Sequence, residues 1–459
     1  MLKELINNRR VLVLFSLMFS IVCLLNVNYC ILRSARNALV VTDLGHGASS
    51  IPIFELCGTM PGAVLMAFLL TKLLNRFSIH KVFLITLAVF SGFFLLFAVG
   101  IYPSLHLWKD AIAPYNESIA VLLPQTFSML FFVMAELWKI ALLTVLFWGL
   151  VNQYIPLTDA KRYYAPLMLG GSIGAMLSGP LVKLCTSDLI SHSWSRSLTL
   201  MMISLTLISY LTATLYTKLW KEFAGPKREE KKEESMSLWE SVRMCVKSPY
   251  LLLLGWITIA DYVAYTLGEV IFLDVLKQKF PDPRQYCDYN GQLSFWSGLL
   301  TAICALIIAP LLLKKCRWVV ASLITPACLL ITEAAFFFTL WLPSKELHLD
   351  LLVLFGTIFF CCVRAAKYTL FDTSKEISFL LLPPLEKMQG KLVIDGMCSR
   401  MGRGGASLAS ILLIQLCGGV LASALIAGWL ALAIGASCVF STLRLGLLVE
   451  RKTKPEATF

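Results

Sequence analysis

The chain consists of long apolar runs separated by short polar segments. Most of these runs approach or exceed the roughly 20 residues that an α-helix needs to cross a bilayer. The pattern predicts twelve membrane-spanning helices, numbered here as spans 1 to 12: 11–32, 51–73, 81–104, 127–150, 165–185, 197–217, 249–273, 293–313, 317–342, 349–366, 399–416 and 421–443. The expected fold class is therefore an all-α integral membrane protein.

The longest charged segment, 218–248, lies in the middle of the chain and divides the predicted spans six and six. Two six-helix bundles joined by such a linker are typical of the major facilitator fold, in which the substrate site lies between the halves. We therefore expect a bundle over 1–217, a charged cytoplasmic linker over 218–248 and a second bundle over 249–459.

Composition and charge argue against a soluble enzyme. Only 15% of the 459 residues are charged and 58% are hydrophobic, whereas soluble domains have about 25% charged residues. If the N-terminus is cytoplasmic, 30 of the 40 lysines and arginines fall in cytoplasmic segments and 8 in external ones. This bias predicts cytoplasmic termini at both ends. The net charge of +12 then reports orientation, and no nucleic-acid partner is expected.

Cysteine, histidine and glycine patterns point to no bound group. The 14 cysteines form no C-x-x-C pair and the five histidines no H-x-x-x-H pair, so neither residue type predicts a metal site. The glycine-rich segments 170–174 and 402–405 lack the GK[ST] of a phosphate-binding loop. Glycines in spans more often allow close helix packing. We expect no metal, no cofactor and no ATPase.

Ionisable residues in or beside the spans are the candidate functional residues, because each costs about 2.5–3.5 kcal/mol to insert at the bilayer centre. They are Arg33 and Arg36 after span 1, Glu136 and Lys139 in span 4, Asp261 and Glu269 in span 7, Glu333 in span 9, and Lys391 and Asp395 before span 11. Some could be structural. Glu136 could neutralise Lys139 and Lys391 could neutralise Asp395, while Glu333 could be protonated within a bundle.

Together these charges suggest a water-filled cavity with a cationic rim, Arg33, Arg36 and Lys391, and the buried carboxylates Glu136 and Glu269. Guanidinium and ammonium groups bind phosphate through charge-assisted hydrogen bonds, so an anionic, hydrophilic solute is expected. The carboxylates could bind ribose hydroxyls, gate the path through switchable ion pairs, or carry protons.

Nine short segments carry a resemblance to a known family. They are NYCILRSARNALVVT (28–42), AELW (135–138), FWG (147–149), DAKRYYA (159–165), SPY (248–250), LGEV (267–270), KFPDP (279–283), KYTLFDTSKE (367–376) and GKLVID (390–395). As a set they resemble the ATP:ADP antiporter family of nucleotide transporters from obligate intracellular bacteria and plastids. The resemblance implies a twelve-helix, major-facilitator-like carrier that exchanges or imports nucleotides.

The resemblance also implies which residues serve transport. Four charged positions of the family fall on Arg36, Glu136, Glu269 and Lys391, and we add Arg33 as a substrate contact. Four further residues are candidates for gating or proton coupling: Lys139, Asp261, Glu333 and Asp395.

Departures from the family pattern bear on the substrate. After span 1 the family commonly has the motif R-D-x-K-D, which this chain changes at Ser34, Arg36 and Asn37. Glu55 replaces a lysine that is common in span 2, and Leu273 replaces one that is common in span 7. Asp261 and Glu333 are additional to the family pattern. With Glu55, three carboxylates are thus gained and two lysines lost, which weakens the case for a highly charged triphosphate.

The expected function is alternating-access transport of nucleotides by a monomer in the bacterial inner membrane, with ATP/ADP exchange as the first interpretation. The alternative is proton-coupled import of another nucleotide or of a dinucleotide such as NAD. A membrane enzyme acting on lipid or nucleotide-linked precursors is a third hypothesis, for which only 364–403 is dense enough in polar residues.

Overall fold

The computed structural model describes residues 9–44, 47–155, 157–223, 238–342 and 348–453. Over these residues the chain forms helices and no strand, which confirms the all-α prediction. Residues 224–237, the centre of the predicted linker, lie outside the described part of the chain.

The α-helices follow one another with short connections. They are α1 Arg9–Ala38, α2 Ser50–Ile53, α3 Met60–Arg76, α4 Ile79–Leu96, α5 Tyr102–Ile112, α6 Glu117–Trp138, α7 Trp148–Tyr154, α8 Leu157–Thr186, α9 Trp194–Phe223, α10 Leu238–Lys247, α11 Pro249–Lys279, α12 Pro283–Ile303, α13 Ala309–Lys315, α14 Trp318–Leu340, α15 His348–Ala366, α16 Asp372–Leu380, α17 Pro384–Lys391, α18 Ser399–Cys417 and α19 Val420–Thr453.

Wider π-helical segments join several of these helices into longer ones. In the described chain they are π1 Leu39–Asp43, π2 Phe54–Thr59, π3 Phe97–Ile101, π4 Lys139–Phe147, π5 Cys304–Ile308, π6 Lys367–Phe371 and π7 Leu392–Cys398. Such segments are uncommon and occur frequently at functional sites. Two of them, π4 and π6, begin at a lysine.

Eleven of the described helices are long and apolar enough to cross a membrane. They correspond to spans 1 to 10 and span 12, and most are longer than predicted because helix continues through polar flanks. Span 11 is the helix α18, whose first two turns contain Arg400 and Arg403 and which therefore falls below the hydropathy of the others. Large apolar side chains such as Phe68, Leu207 and Leu416 are exposed, as a surface facing lipid hydrocarbon requires.

Local chemistry fixes several helix ends. Ser78 caps α4 by accepting a hydrogen bond from the Lys81 amide, and Asn116 caps α6 by accepting one from the Ile119 amide. Helix α18 ends at Gly418, whose φ of 80° lies in the left-handed region that glycine tolerates best. In the predicted linker, 218–223 continue α9, and Leu238–Lys247 form the separate amphipathic helix α10.

The chain packs as two compact units. Unit 1 contains Met1–Ser50, Cys57–Glu229 and Phe280–Leu299, and unit 2 contains Ile51–Leu56, Glu230–Lys279 and Leu300–Phe459. In each unit the first span packs lengthwise against later ones. In unit 1, α1 lies along α8 and α9; in unit 2, α11 lies along α18 and α19.

Glycines make these lengthwise contacts close. A Cβ added to Gly174 on α8 would lie 2.3 Å from the carbonyl oxygen of Cys23 on α1. A Cβ on Gly402 of α18 would lie 2.8 Å from the Cβ of Tyr262 on α11. The two glycine-rich segments of the sequence therefore serve helix packing, as expected in membrane bundles.

The first testable prediction concerns this packing. Gly174→Ala should lower the stability of the protein by about 1–3 kcal/mol, because the added methyl group meets backbone that cannot turn aside. The measurement is the thermal unfolding of the purified protein in detergent. Gly92→Ala is the matched control, since nothing lies within 4 Å of its added Cβ. An equal loss of stability in both variants would contradict the packing role of Gly174.

Candidate functional site

A buried ion-paired group in unit 1 brings together three of the residues predicted from sequence. Glu136 on α6 accepts hydrogen bonds from Arg36 on α1 through Oε1 and from Lys139 through Oε2. The side chain of Glu136 is 3% exposed, that of Arg36 10% and that of Lys139 18%. Glu136 and Lys139 therefore do not form an isolated pair, because the same carboxylate also holds Arg36.

Aromatic rings complete the surroundings of these two cations. The Arg36 guanidinium lies 4.5 Å from the centroid of the Phe132 ring. The Lys139 Nζ lies 5.2 Å from the centroid of the Tyr29 ring and 3.4 Å from its hydroxyl oxygen. Cations bind the faces of aromatic rings more strongly when water is excluded. The group thus holds two basic side chains and one acidic one in a largely dry environment.

Helix continuation places Arg33 and Arg36 in this part of unit 1. Span 1 was predicted to end at residue 32, but α1 runs on to Ala38 and π1 to Asp43. Both arginines are therefore helical and one turn apart. Both are buried: the whole-residue exposure is 7% for Arg33 and 9% for Arg36. Lys139 stands where α6 widens into π4.

A second buried ion pair lies in unit 2 and includes a residue that sequence analysis missed. Lys367, at the start of π6, donates a hydrogen bond to Oδ2 of Asp261 on α11. The Lys367 Nζ lies 3.5 Å from the centroid of the Tyr262 ring. Lys367 was placed in a cytoplasmic segment because hydropathy falls after residue 366, although it belongs to the segment KYTLFDTSKE that carries the family resemblance.

Lys391 and Asp395 do not pair with each other as their spacing allowed. Asp395 bonds to Lys375 at 2.7 Å, and Lys391 bonds to Glu376 at 2.5 Å. The chain changes from α17 to π7 between the two residues, and the wider helix alters the angular spacing that an α-helical i, i+4 pair requires. The pair of Lys391 and Glu376 is about half exposed, unlike that of Lys375.

The two carboxylates predicted in spans 7 and 9 have different surroundings. Glu269 is partly buried, and the Tyr265 hydroxyl lies 3.5 Å from its Oε1. Glu333 is fully buried, and neither of its carboxyl oxygens has a hydrogen-bond partner within the described part of the chain. Gly268 makes room for it, because a Cβ there would lie 3.0 Å from Oε1 of Glu333.

Glu55, which stands where the resembling family commonly has a lysine, lies 3.6 Å from Arg403. A lysine at this position would face the guanidinium with like charge. Among the described residues no group of three or more His, Cys, Asp or Glu side chains is placed to hold a metal ion. Arg36, Glu136, Lys139, Asp261 and Lys367 are held in ion pairs.

Comparisons with known proteins agree on one family. The profile described as "TLC ATP/ADP transporter" matches residues 5–446. ADP,ATP carrier protein 1 of Chlamydia trachomatis is 31% identical over 445 residues, which cover 90% of this chain and 83% of the relative. The chloroplastic ADP,ATP carrier protein 2 of Arabidopsis thaliana is 30% identical, and the match covers 93% of this chain and 74% of the relative.

Solved structures of transporters share the fold. A mutant of the nucleoside transporter NupG superposes with a TM-score of 0.59 at 13% identity, covering 95% of this chain and 100% of that one. A POT family transporter in complex with 5-aminolevulinic acid gives a TM-score of 0.63 at 10% identity, covering 96% of both chains. These neighbours confirm the major-facilitator-like fold.

The second prediction contrasts a buried carboxylate with an exposed one. Glu136→Gln leaves Arg36 and Lys139 without the anion between them, so the protein should lose about 3–5 kcal/mol of stability. Glu376→Gln removes the exposed partner of Lys391 and should change stability by less than about 1 kcal/mol. Thermal unfolding in detergent measures both. Similar losses in the two variants would show that burial of the Glu136 group is not what stabilises it.

Proposed function

The chain belongs to the TLC ATP/ADP transporter family, and from this membership we propose that it exchanges ATP and ADP across a membrane by alternating access. It is a multi-pass membrane protein, and both its family and its structural neighbours are transporters rather than enzymes. The observation that best supports an anionic cargo is the buried group of Arg36, Glu136 and Lys139, which has one more basic than acidic side chain.

Exchange of ion-pair partners explains how this group can bind a phosphate and release it. Without cargo, Glu136 satisfies both cations. A nucleotide phosphate offers more acceptor oxygens and more charge, and Arg36 can bind it bidentately. Each cation keeps an anionic partner in both states, and no charge is left buried and unpaired as long as Glu136 keeps one cation while the phosphate binds the other. No ATP hydrolysis is needed for such exchange.

Roles for the other residues follow from their chemistry. Arg33, Glu269 and Lys391 serve as further substrate contacts, and Lys139, Asp261, Glu333 and Asp395 act in gating or proton coupling. The proposed carrier is a monomer of a bacterial inner membrane. Its termini both lie in the cytoplasm, which is the orientation that the charge bias of the sequence predicts.

The third prediction tests exchange directly. Liposomes containing the purified protein should take up labelled ATP or ADP several-fold faster when unlabelled ADP or ATP is inside, because a loaded site reorients more readily than an empty one. Liposomes without internal nucleotide are the control. Equal uptake in both, or the same response to adenine, guanine, pyrimidine and dinucleotide solutes, would contradict adenine nucleotide exchange.

Variants in the same assay test the residues. Arg36→Ala, Glu136→Ala, Glu269→Ala and Lys391→Ala should each reduce exchange sharply, with about tenfold or more expected where the lost partner is buried. Arg317→Ala is the matched control, because this arginine is 82% exposed and lies 3.8 Å from Glu450. Wild-type exchange by all four variants, with normal insertion, would refute the site.

Glu333 favours proton-coupled import as a second candidate function. A carboxylate without a partner is among the most costly groups to bury, whereas a neutral carboxyl group is much less so. Glu333 has no hydrogen-bond partner among the described residues and no exposed surface. It is therefore the described residue best suited to gain and lose a proton during a transport cycle.

The fourth prediction separates the two functions. If proton coupling operates, an uncoupler should abolish wild-type uptake whether or not nucleotide is present inside. The uptake that the Glu333→Gln variant retains should then be insensitive to the uncoupler. If exchange operates, the uncoupler should leave uptake into nucleotide-loaded liposomes unchanged in both proteins. Radiolabelled uptake with and without uncoupler measures this.

A further inference from the structure

The ion-paired groups of the two units share a lysine and a tyrosine at corresponding places. Lys139 begins π4 in span 4 and lies against Tyr29 of span 1; Lys367 begins π6 in span 10 and lies against Tyr262 of span 7. Each lysine also donates a hydrogen bond to a buried carboxylate. Spans 1 and 4 of the first half thus correspond to spans 7 and 10 of the second.

Aligning the two tyrosines also aligns polar positions of spans 1 and 7, although the residue types differ. With Tyr29 placed on Tyr262, Asn28 falls on Asp261, and seven residues later Arg36 falls on Glu269. The halves of a major facilitator fold are structural repeats of each other. Lys367 is therefore the counterpart of Lys139, although nothing in the hydropathy of the sequence places it within a membrane helix.

A second cation converges on the same ring in unit 2. The Arg403 guanidinium lies 5.4 Å from the centroid of the Tyr262 ring, on which Lys367 also lies. Within the Lys367 pair the lysine is the more accessible partner, since its side chain is 12% exposed and that of Asp261 2%. An incoming anion can therefore reach the cation while the carboxylate stays covered.

From this geometry we propose that Lys367, assisted by Arg403, binds a phosphate group of the transported nucleotide, and that Asp261 holds the lysine when no nucleotide is bound. The proposal rests on the proposed nucleotide transport and adds a phosphate contact in unit 2. A buried ion pair is a weak source of stability, and replacing both partners by apolar groups is often neutral. Stability alone therefore does not explain the pair, whereas an exchangeable partner for phosphate does.

The test measures ADP binding to the purified full-length carrier in detergent by titration calorimetry. Lys367→Met should weaken binding about tenfold, or about 1.4 kcal/mol, and Lys367→Arg, which keeps the charge, should retain most of it. Lys279→Met is the control, because Lys279 pairs with Asp350 outside the candidate site, with side-chain exposures of 35% and 66%; its affinity should equal that of the wild type. Equal weakening by both methionine variants, or none by Lys367→Met, would overturn the proposal.

The double variant Asp261→Asn, Lys367→Met separates phosphate binding from a structural role and buries no unpaired charge, so it should fold even if a single variant does not. If Lys367 binds phosphate, the double variant stays as weak as Lys367→Met, while Asp261→Asn alone binds ADP at least as tightly as the wild type. Recovery of wild-type affinity in the double variant would show that the pair is only structural and would overturn the proposal.

Two further measurements identify the ligand and distinguish failure of the Lys367 proposal from failure of the proposed function. Wild-type carrier should bind pyrophosphate more weakly than ADP; equal affinity would assign the lysine to inorganic phosphate and overturn the nucleotide part. If the wild type binds neither ADP nor ATP, the proposed function itself fails. If it binds them and Lys367→Met binds equally well, only the role of Lys367 fails.

Discussion

A charge at bilayer depth must have a partner, and this constraint governs the candidate site. The free energy of an unpaired buried cation is too high for a stable bundle, whereas a paired one is tolerated. In unit 1 a single carboxylate, Glu136, serves two cations. In unit 2, Asp261 serves Lys367. In the proposed mechanism, a phosphate that enters takes over the cations that these carboxylates hold in its absence.

Hydropathy and the rarity of buried charge predicted much of this arrangement. The spans were visible because apolar runs of the necessary length are uncommon in soluble chains, and Arg36, Glu136 and Lys139 stood out for their charge in or beside such runs. Lys367 and Lys375 were missed because they do not lie within an apolar run. Their segment is too polar to be predicted as a span, yet it is helical, and each lysine is paired with a carboxylate inside the unit.

Partners were harder to predict than positions. The spacing of Lys391 and Asp395 fits an α-helical pair, but π7 begins between them, and each bonds instead to a residue of α16, a separate helix. Sequence spacing determines neighbours only when the helix type is known. Glu333 shows the opposite limit. Its position was predicted, but its lack of hydrogen-bond partners in the described chain depends on the helices packed around it, which no local pattern specifies.

The two units differ in which helix supplies the carboxylate, and this difference bears on how binding could move helices. Glu136 and Lys139 lie on the same continuous helix, so a phosphate that displaces Glu136 from Lys139 breaks no contact between helices. A phosphate that displaces Glu136 from Arg36 does break such a contact, because Arg36 lies on α1. In unit 2 the hydrogen bond from Lys367 to Asp261 crosses from span 10 to span 7. A ligand shifts a conformational equilibrium only by binding two states differently. The proposed phosphate binding at Arg36 or Lys367 would meet that condition, because it would exchange an interhelical bond for a bond to the cargo.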